Sequence, residues 1–161
     1  MKTQQTNYFL ITFSFVVGIF LTITPLPEWA IWARPQFIFA ILLFWVITSP
    51  AQFGIGLAWI VGVVMDLMTG TPLGEHSIIF VLLIYIVLKS RTGLTHSPVL
   101  QQITAIFVLA SVNALFQGLI LGFTGHSTHI AFSLLSAVTT ALIWPWLFAL
   151  LDRLRPMAVI F

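Results

Sequence analysis

At 161 residues, 60% of them hydrophobic and 6% charged, the chain is far more apolar than a soluble domain, in which roughly 25% of residues carry charge. The net charge of +2 is too small and too dispersed for a nucleic-acid surface, and the lack of cysteine excludes disulfides, thiol catalysis and Cys-ligated metals. The apolar runs are continuous and show none of the alternation of a membrane β-barrel. The composition therefore implies an all-α integral membrane protein.

A bilayer core of about 30 Å needs about 20 apolar residues in a helix. Pro, Gly and charged residues divide residues 1–161 into six such segments in one transmembrane domain: 8–24, 35–50, 53–70, 76–90, 100–123 and 129–151. The first resembles a signal peptide in length, but its cleavage pattern is poor and the bulky Trp29 and Trp32 follow, so it reads as a retained helix. SPAQF (49–53) makes a tight hairpin of spans two and three, and KSRTGLTHSP (89–98) reads as an exposed loop. With six spans, Lys2, Lys89, Arg91, Arg153 and Arg155 collect on the side of both termini, against Arg34 on the other. The positive-inside bias puts that basic side, and both termini, in the cytoplasm. Glu28, Arg34, Asp66, Glu75, His126 and His129 then gather at the outer face.

In span one, Ser14, Gly18 and Thr22 form a small stripe suited to close helix packing. Span two begins at Arg34-Pro35, and Pro suits a first helical turn because its missing N–H would be unpaired there. In span three, Gly54, Ala58, Gly62, Asp66 and Gly70 recur every fourth residue, which places them on one face and lets another backbone approach. Asp66 thus lies on the packing face, but near a helix C-terminus, where the macrodipole disfavours negative charge. A charge at bilayer depth costs about 3 kcal/mol or more without water or a partner. Arg34 is the natural partner, and the pair would fasten spans two and three at their outer ends. Two readings compete with this one. Arg34 snorkels to headgroups while Asp66 reaches interfacial water, or Asp66 serves a proton relay or cation site. The other spans offer such a relay no further ionisable groups at depth.

GTPLGEH (70–76) reads as a tight turn. Gly70 ends one helix, Pro72 fixes the chain, Gly74 permits unusual dihedrals, and Glu75 sits at the positive end of the next helix. In span five, Asn113 and Gln117 share a face beside Gly118 and Gly122. Amides in hydrocarbon seek interhelical hydrogen bonds worth roughly 0.6–2 kcal/mol each, made within the chain, to a partner's helix or around a polar pocket. His126 and His129 suit a shared metal only with further ligands such as Glu75 and His76. In span six, Pro145 should kink the helix. Trp144 and Trp146 are expected to anchor it at the cytoplasmic interface, as Trp29 and Trp32 do outside. There is no phosphate-binding GK[ST] loop and no GxSxG elbow, so neither an enzyme nor a cofactor is expected.

ARPQF (33–37), GVVMDLMTGTPLG (62–74) and WPW (144–146) together resemble the rod shape-determining MreD family. The most specific element is Asp-Leu-x-x-Gly-x-x-Leu-Gly, here Asp66, Leu67, Gly70, Leu73 and Gly74. Many members carry an acidic or amide residue after Arg-Pro; Gln36 stands there and leaves Arg34 without an adjacent acidic neighbour. The resemblance implies a non-enzymatic inner-membrane scaffold of the bacterial elongation machinery. Its direct partner would be the bitopic protein MreC, with MreB, RodA, the elongation penicillin-binding protein and RodZ in the wider complex. It also implies a helical arrangement similar to the substrate-binding S-components of energy-coupling-factor transporters. The contending class is a small-molecule binding or transport subunit, with Asn113, Gln117 and Asp66 around a cavity.

Overall fold

A computed structural model describes residues 5–6, 8–50, 53–95, 97–123 and 130–160. Among them are seven helices: α1 (Tyr8–Ile23), α2 (Glu28–Ile31), α3 (Phe37–Thr48), α4 (Ile55–Thr69), α5 (Glu75–Thr95), α6 (Val99–Phe123) and α7 (Ile130–Ala158). β1 (Gln5–Thr6) pairs antiparallel with β2 (Val159–Ile160) and sets the two ends of the chain side by side. By length and composition, α5, α6 and α7 are able to cross a membrane, while the apolar helices α1, α3 and α4 are shorter.

The shortest of these six is the centre of the molecule. The α3 sequence FIFAILLFWVIT is apolar on every side, which suits a protein core or a lipid-facing span equally; here it is the core. Every residue from Ile38 to Ile47 is no more than 6% exposed. α1, α5 and α7 pack around it. Trp45 Nε1 donates to Ser14 Oγ at 3.1 Å, and the Ile38 and Ile41 side chains close over Gly18, so the small stripe of α1 receives α3. At twelve residues, α3 rises only about 18 Å. The residues at its two ends, 34–37 and 48–50, are half-buried.

α5 runs on to Thr95, so most of KSRTGLTHSP is helix rather than an exposed loop. Gly93 alone costs a helix about 1 kcal/mol, which does not stop a propagating helix; Pro98 does, and its carbonyl accepts from Gln101 N and Gln102 N as α6 begins. α7 remains one helix through Pro145. Of the two Trp residues expected to anchor α7, Trp146 is 73% exposed, whereas Trp144 is 1% exposed, with its Nε1 3.4 Å from Gln102 Oε1, and packs inside the bundle. Positions two apart on a helix point about 200° apart, so Trp144 and Trp146 lie on nearly opposite faces.

Candidate functional site

α4 and α5 form a hairpin whose turn lies opposite the paired chain ends. Gly62 makes the approach close. A Cβ at this position would run into the Ser77 backbone, so the N-terminal turn of α5 lies directly on the α4 backbone. Ala58 and Asp66, one turn to either side, are 0% and 1% exposed. Gly70 ends α4 in the left-handed conformation (φ 68°), and Gly74 adopts φ 105° before α5 starts. Between them the Pro72 carbonyl accepts from Glu75 N at 3.1 Å.

This turn delivers α5 onto the Asp66 carboxylate. Oδ2 accepts from Gly74 N at 2.8 Å and from Ser77 Oγ at 3.1 Å. Oδ1 accepts from His76 N at 2.9 Å and Thr71 Oγ1 at 3.2 Å, and lies 2.8 Å from His76 Nδ1. The first N–H groups of a helix lack intrahelical partners and carry its positive dipole end, so a carboxylate there is solvated by fixed donors. Asp66, at the unfavourable end of α4, is therefore placed at the favourable end of α5. Glu75 and His76 are also buried, and Glu75 Oε2 has no hydrogen-bond partner among the described residues.

Arg34 does not pair with Asp66, and the expected ion pair is replaced by separate attachments. The Arg34 guanidinium donates from Nη1 to the Thr22 carbonyl and from Nη2 to the Thr24 carbonyl, the latter at 2.6 Å. A fork of donors on the last carbonyls of α1 uses the negative end of that helix. The Arg34 carbonyl accepts from Ser136 Oγ of α7 at 2.7 Å. Next to it, Gln36 ties three helices together. Its N–H donates to Thr140 Oγ1 at 2.9 Å and its Nε2 to the Ala110 carbonyl at 3.1 Å. Its Oε1 accepts from Asn113 Nδ2 at 2.7 Å, and Asn113 Oδ1 accepts from Gln117 Nε2 at 3.2 Å.

The sequence-derived residues thus fall into two clusters. Gly62, Asp66, Gly70, Pro72, Gly74 and Glu75 build the α4–α5 turn. Arg34, Asn113 and Gln117 belong to a second cluster where α1, α3, α6 and α7 meet. Sequence reasoning missed His76 as the partner of Asp66, although a Gly/Pro turn between them was a sufficient signal. It also missed Ser136 and Thr140, because a hydroxyl on a long apolar helix carries no signal of what it meets. Among the described residues no group of three His, Asp or Glu side chains is arranged to hold a metal. His126 and His129 lie outside the described residues. Trp29 is 81% exposed and Trp32 40%.

Both clusters are built on the segments ARPQF and GVVMDLMTGTPLG, and the chain as a whole follows one known pattern. The family model described as rod shape-determining protein MreD matches residues 3–154. The chain belongs to the MreD family. It is 28% identical over 153 residues to the rod shape-determining protein MreD of Haemophilus influenzae, covering 92% of each chain. No solved structure matches. Membership carries a rod shape-determining role, in a family of shape-determining proteins and not of known enzymes, and the apolar helices fit a membrane protein. The MreD-type motif now has physical content in this chain: Asp66 holds the start of α5, and Gly70 and Gly74 supply the two positive φ angles that bring it there.

Proposed function

We propose that this MreD-family chain is a non-enzymatic scaffold subunit of the cell-elongation machinery in the bacterial inner membrane. It crosses that membrane six times with both termini in the cytoplasm. It binds MreC directly, and MreB, RodA, the elongation penicillin-binding protein and RodZ complete the assembly that inserts side-wall peptidoglycan.

The observation that carries the reading is where its polar groups are spent, in a chain matched to this family over residues 3–154. Asp66 is bonded to the backbone of α5, Arg34 to that of α1, and Gln36 and Asn113 to each other. Such groups fasten helix ends and fix a surface for other membrane proteins. A bundle of the S-component type without a transport role is the arrangement we favour. Asp66 on one side and Asn113 with Gln117 on the other sit in separate clusters, whereas a transport cavity needs them around one space.

The test is complementation in a rod-shaped bacterium deleted for its own MreD. The chain, carrying an affinity tag, should restore rods and recover MreC from detergent extracts. Round cells with the chain present in the membrane, or its recovery without MreC, would overturn the proposal.

A further inference from the structure

Among the described residues, nothing closes the flank of the bundle between α1 and α4. A groove of about 310 Å³ lies there. Its walls are almost wholly apolar, and the two lining residues that carry a hydroxyl, Tyr8 and Thr12, stand one turn apart at the end of α1 nearest the paired chain ends. From there the groove runs to Ile19 on α1 and Met65 on α4, with Ile38 of α3 at its far end.

Three features of its shape choose the occupant. Tyr8 to Ile19 spans eleven helical residues, a rise of about 17 Å, which is one leaflet of a hydrocarbon core about 30 Å thick. A helix segment of that length, at 10–12 Å diameter, fills roughly 1,300–1,900 Å³. The groove holds about 800 Å³ even with its open side counted, too little for a partner helix to sink in. Its polarity has a direction, hydroxyls at one end and hydrocarbon along the rest, which is the polarity of a lipid.

We propose that this groove is a binding site for one acyl chain of a glycerophospholipid. The headgroup lies by Tyr8 and Thr12, where the two hydroxyls can donate to ester or phosphate oxygens, and the chain extends along α1 and α4 toward Ile38. Lipid seated there joins two helices that otherwise touch only sparsely on this flank, and so completes the packing of α1. With the termini on the cytoplasmic side, as in the functional reading above, the lipid comes from the inner leaflet. The site itself does not depend on that orientation.

Native mass spectrometry of the full chain, purified in detergent and supplied with phosphatidylglycerol, tests the site. The unsubstituted protein should retain one phospholipid. Thr12→Phe and Val64→Phe fill the groove from opposite walls and should lower retention at least tenfold. Leu142→Phe, on the exposed side of α7, should not change it. Equal retention in all four proteins, or none in the unsubstituted one, would overturn the proposal. So would variants that keep the lipid but release a co-purified single-span protein, because the groove would then hold a partner. A phospholipid with a photoreactive group in mid-chain makes the test independent of how the variants fold. It should label peptides of α1 and α4 well above those of α7 in the unsubstituted protein, and uniform labelling would overturn the site.

Discussion

Asp66 and His76 meet twice across the α4–α5 turn, through the His76 backbone N–H at 2.9 Å and through its Nδ1 at 2.8 Å, both on Asp66 Oδ1. The carboxylate stands at the C-terminal end of one helix and the N-terminal end of the next. Its own helix opposes the charge; the helix that follows supplies donors that outweigh this opposition. A buried carboxylate with five donors around it is a fastening, and the closeness of α5 to Gly62 depends on it.

Removing that carboxylate should loosen the hairpin. Asp66→Ala leaves the first donors of α5 and the His76 ring without their acceptor, and each buried donor left unsatisfied costs about 1–3 kcal/mol. Asp66→Asn keeps the shape but turns an NH2 toward donors, which should cost about 1–3 kcal/mol. Thermal unfolding of the detergent-purified protein, followed by tryptophan fluorescence, should rank the unsubstituted protein above Asp66→Asn and that above Asp66→Ala. Asp66→Ala with an unchanged midpoint would remove the fastening role.

Arg34 and Asp66 should behave as independent residues. Arg34→Ala frees the Thr22 and Thr24 carbonyls, and lost hydrogen bonds to a charged group cost about 1.5–3 kcal/mol. Because the two residues share no partner among the described residues, the losses in the double variant should add to within about 0.5 kcal/mol. The swap Arg34→Asp with Asp66→Arg should restore neither stability nor rod shape. A large coupling energy in the cycle, or rescue by the swap, would show a direct ion pair.

The positions of these residues were readable from the chain, but not all of their pairings. Spacing by four put Gly54, Ala58, Gly62 and Asp66 on one face, and the structure packs Gly62 against α5. The turn was legible because Gly70, Pro72 and Gly74 each restrict or release a backbone dihedral in a known way. Arg34 and Asp66 were expected to attract each other as opposite charges. A helix terminus offers either charge a closer partner, however, and which terminus lies within reach is a tertiary fact. The length of α5 was hidden by residues that look polar enough for a loop. The burial of α3 was hidden because an all-apolar segment reads the same against lipid or protein.

Gly62 and Gly56 offer a contrast within one helix. A Cβ at Gly62 collides with α5 backbone, while one at Gly56 meets nothing within 4 Å among the described residues. Gly62→Ala should force the helices apart at a cost of about 1–3 kcal/mol. Gly56→Ala should be neutral or stabilising by up to about 1 kcal/mol, the difference in helix propensity. Unfolding midpoints of the two variants should lie on opposite sides of, or for Gly56→Ala at, the unsubstituted value. Equal tolerance of both would mean that α4 and α5 do not approach at Gly62.

The two turn glycines should also differ. Gly70 has φ 68°, within the left-handed region that Asn also visits, and a Cβ there meets nothing within 4 Å. Gly74 has φ 105°, outside that small region, and its N–H must stay aimed at Asp66 Oδ2. Gly70→Asn should therefore cost less than about 1 kcal/mol, whereas Gly74→Asn carries about 1–3 kcal/mol of backbone strain together with loss of the aim of that N–H. In complementation, Gly70→Asn cells should stay rod-shaped, and Gly74→Asn cells should round up with less protein in the membrane. Equal effects of the two substitutions on the unfolding midpoint would show that the turn does not set the Asp66 contact.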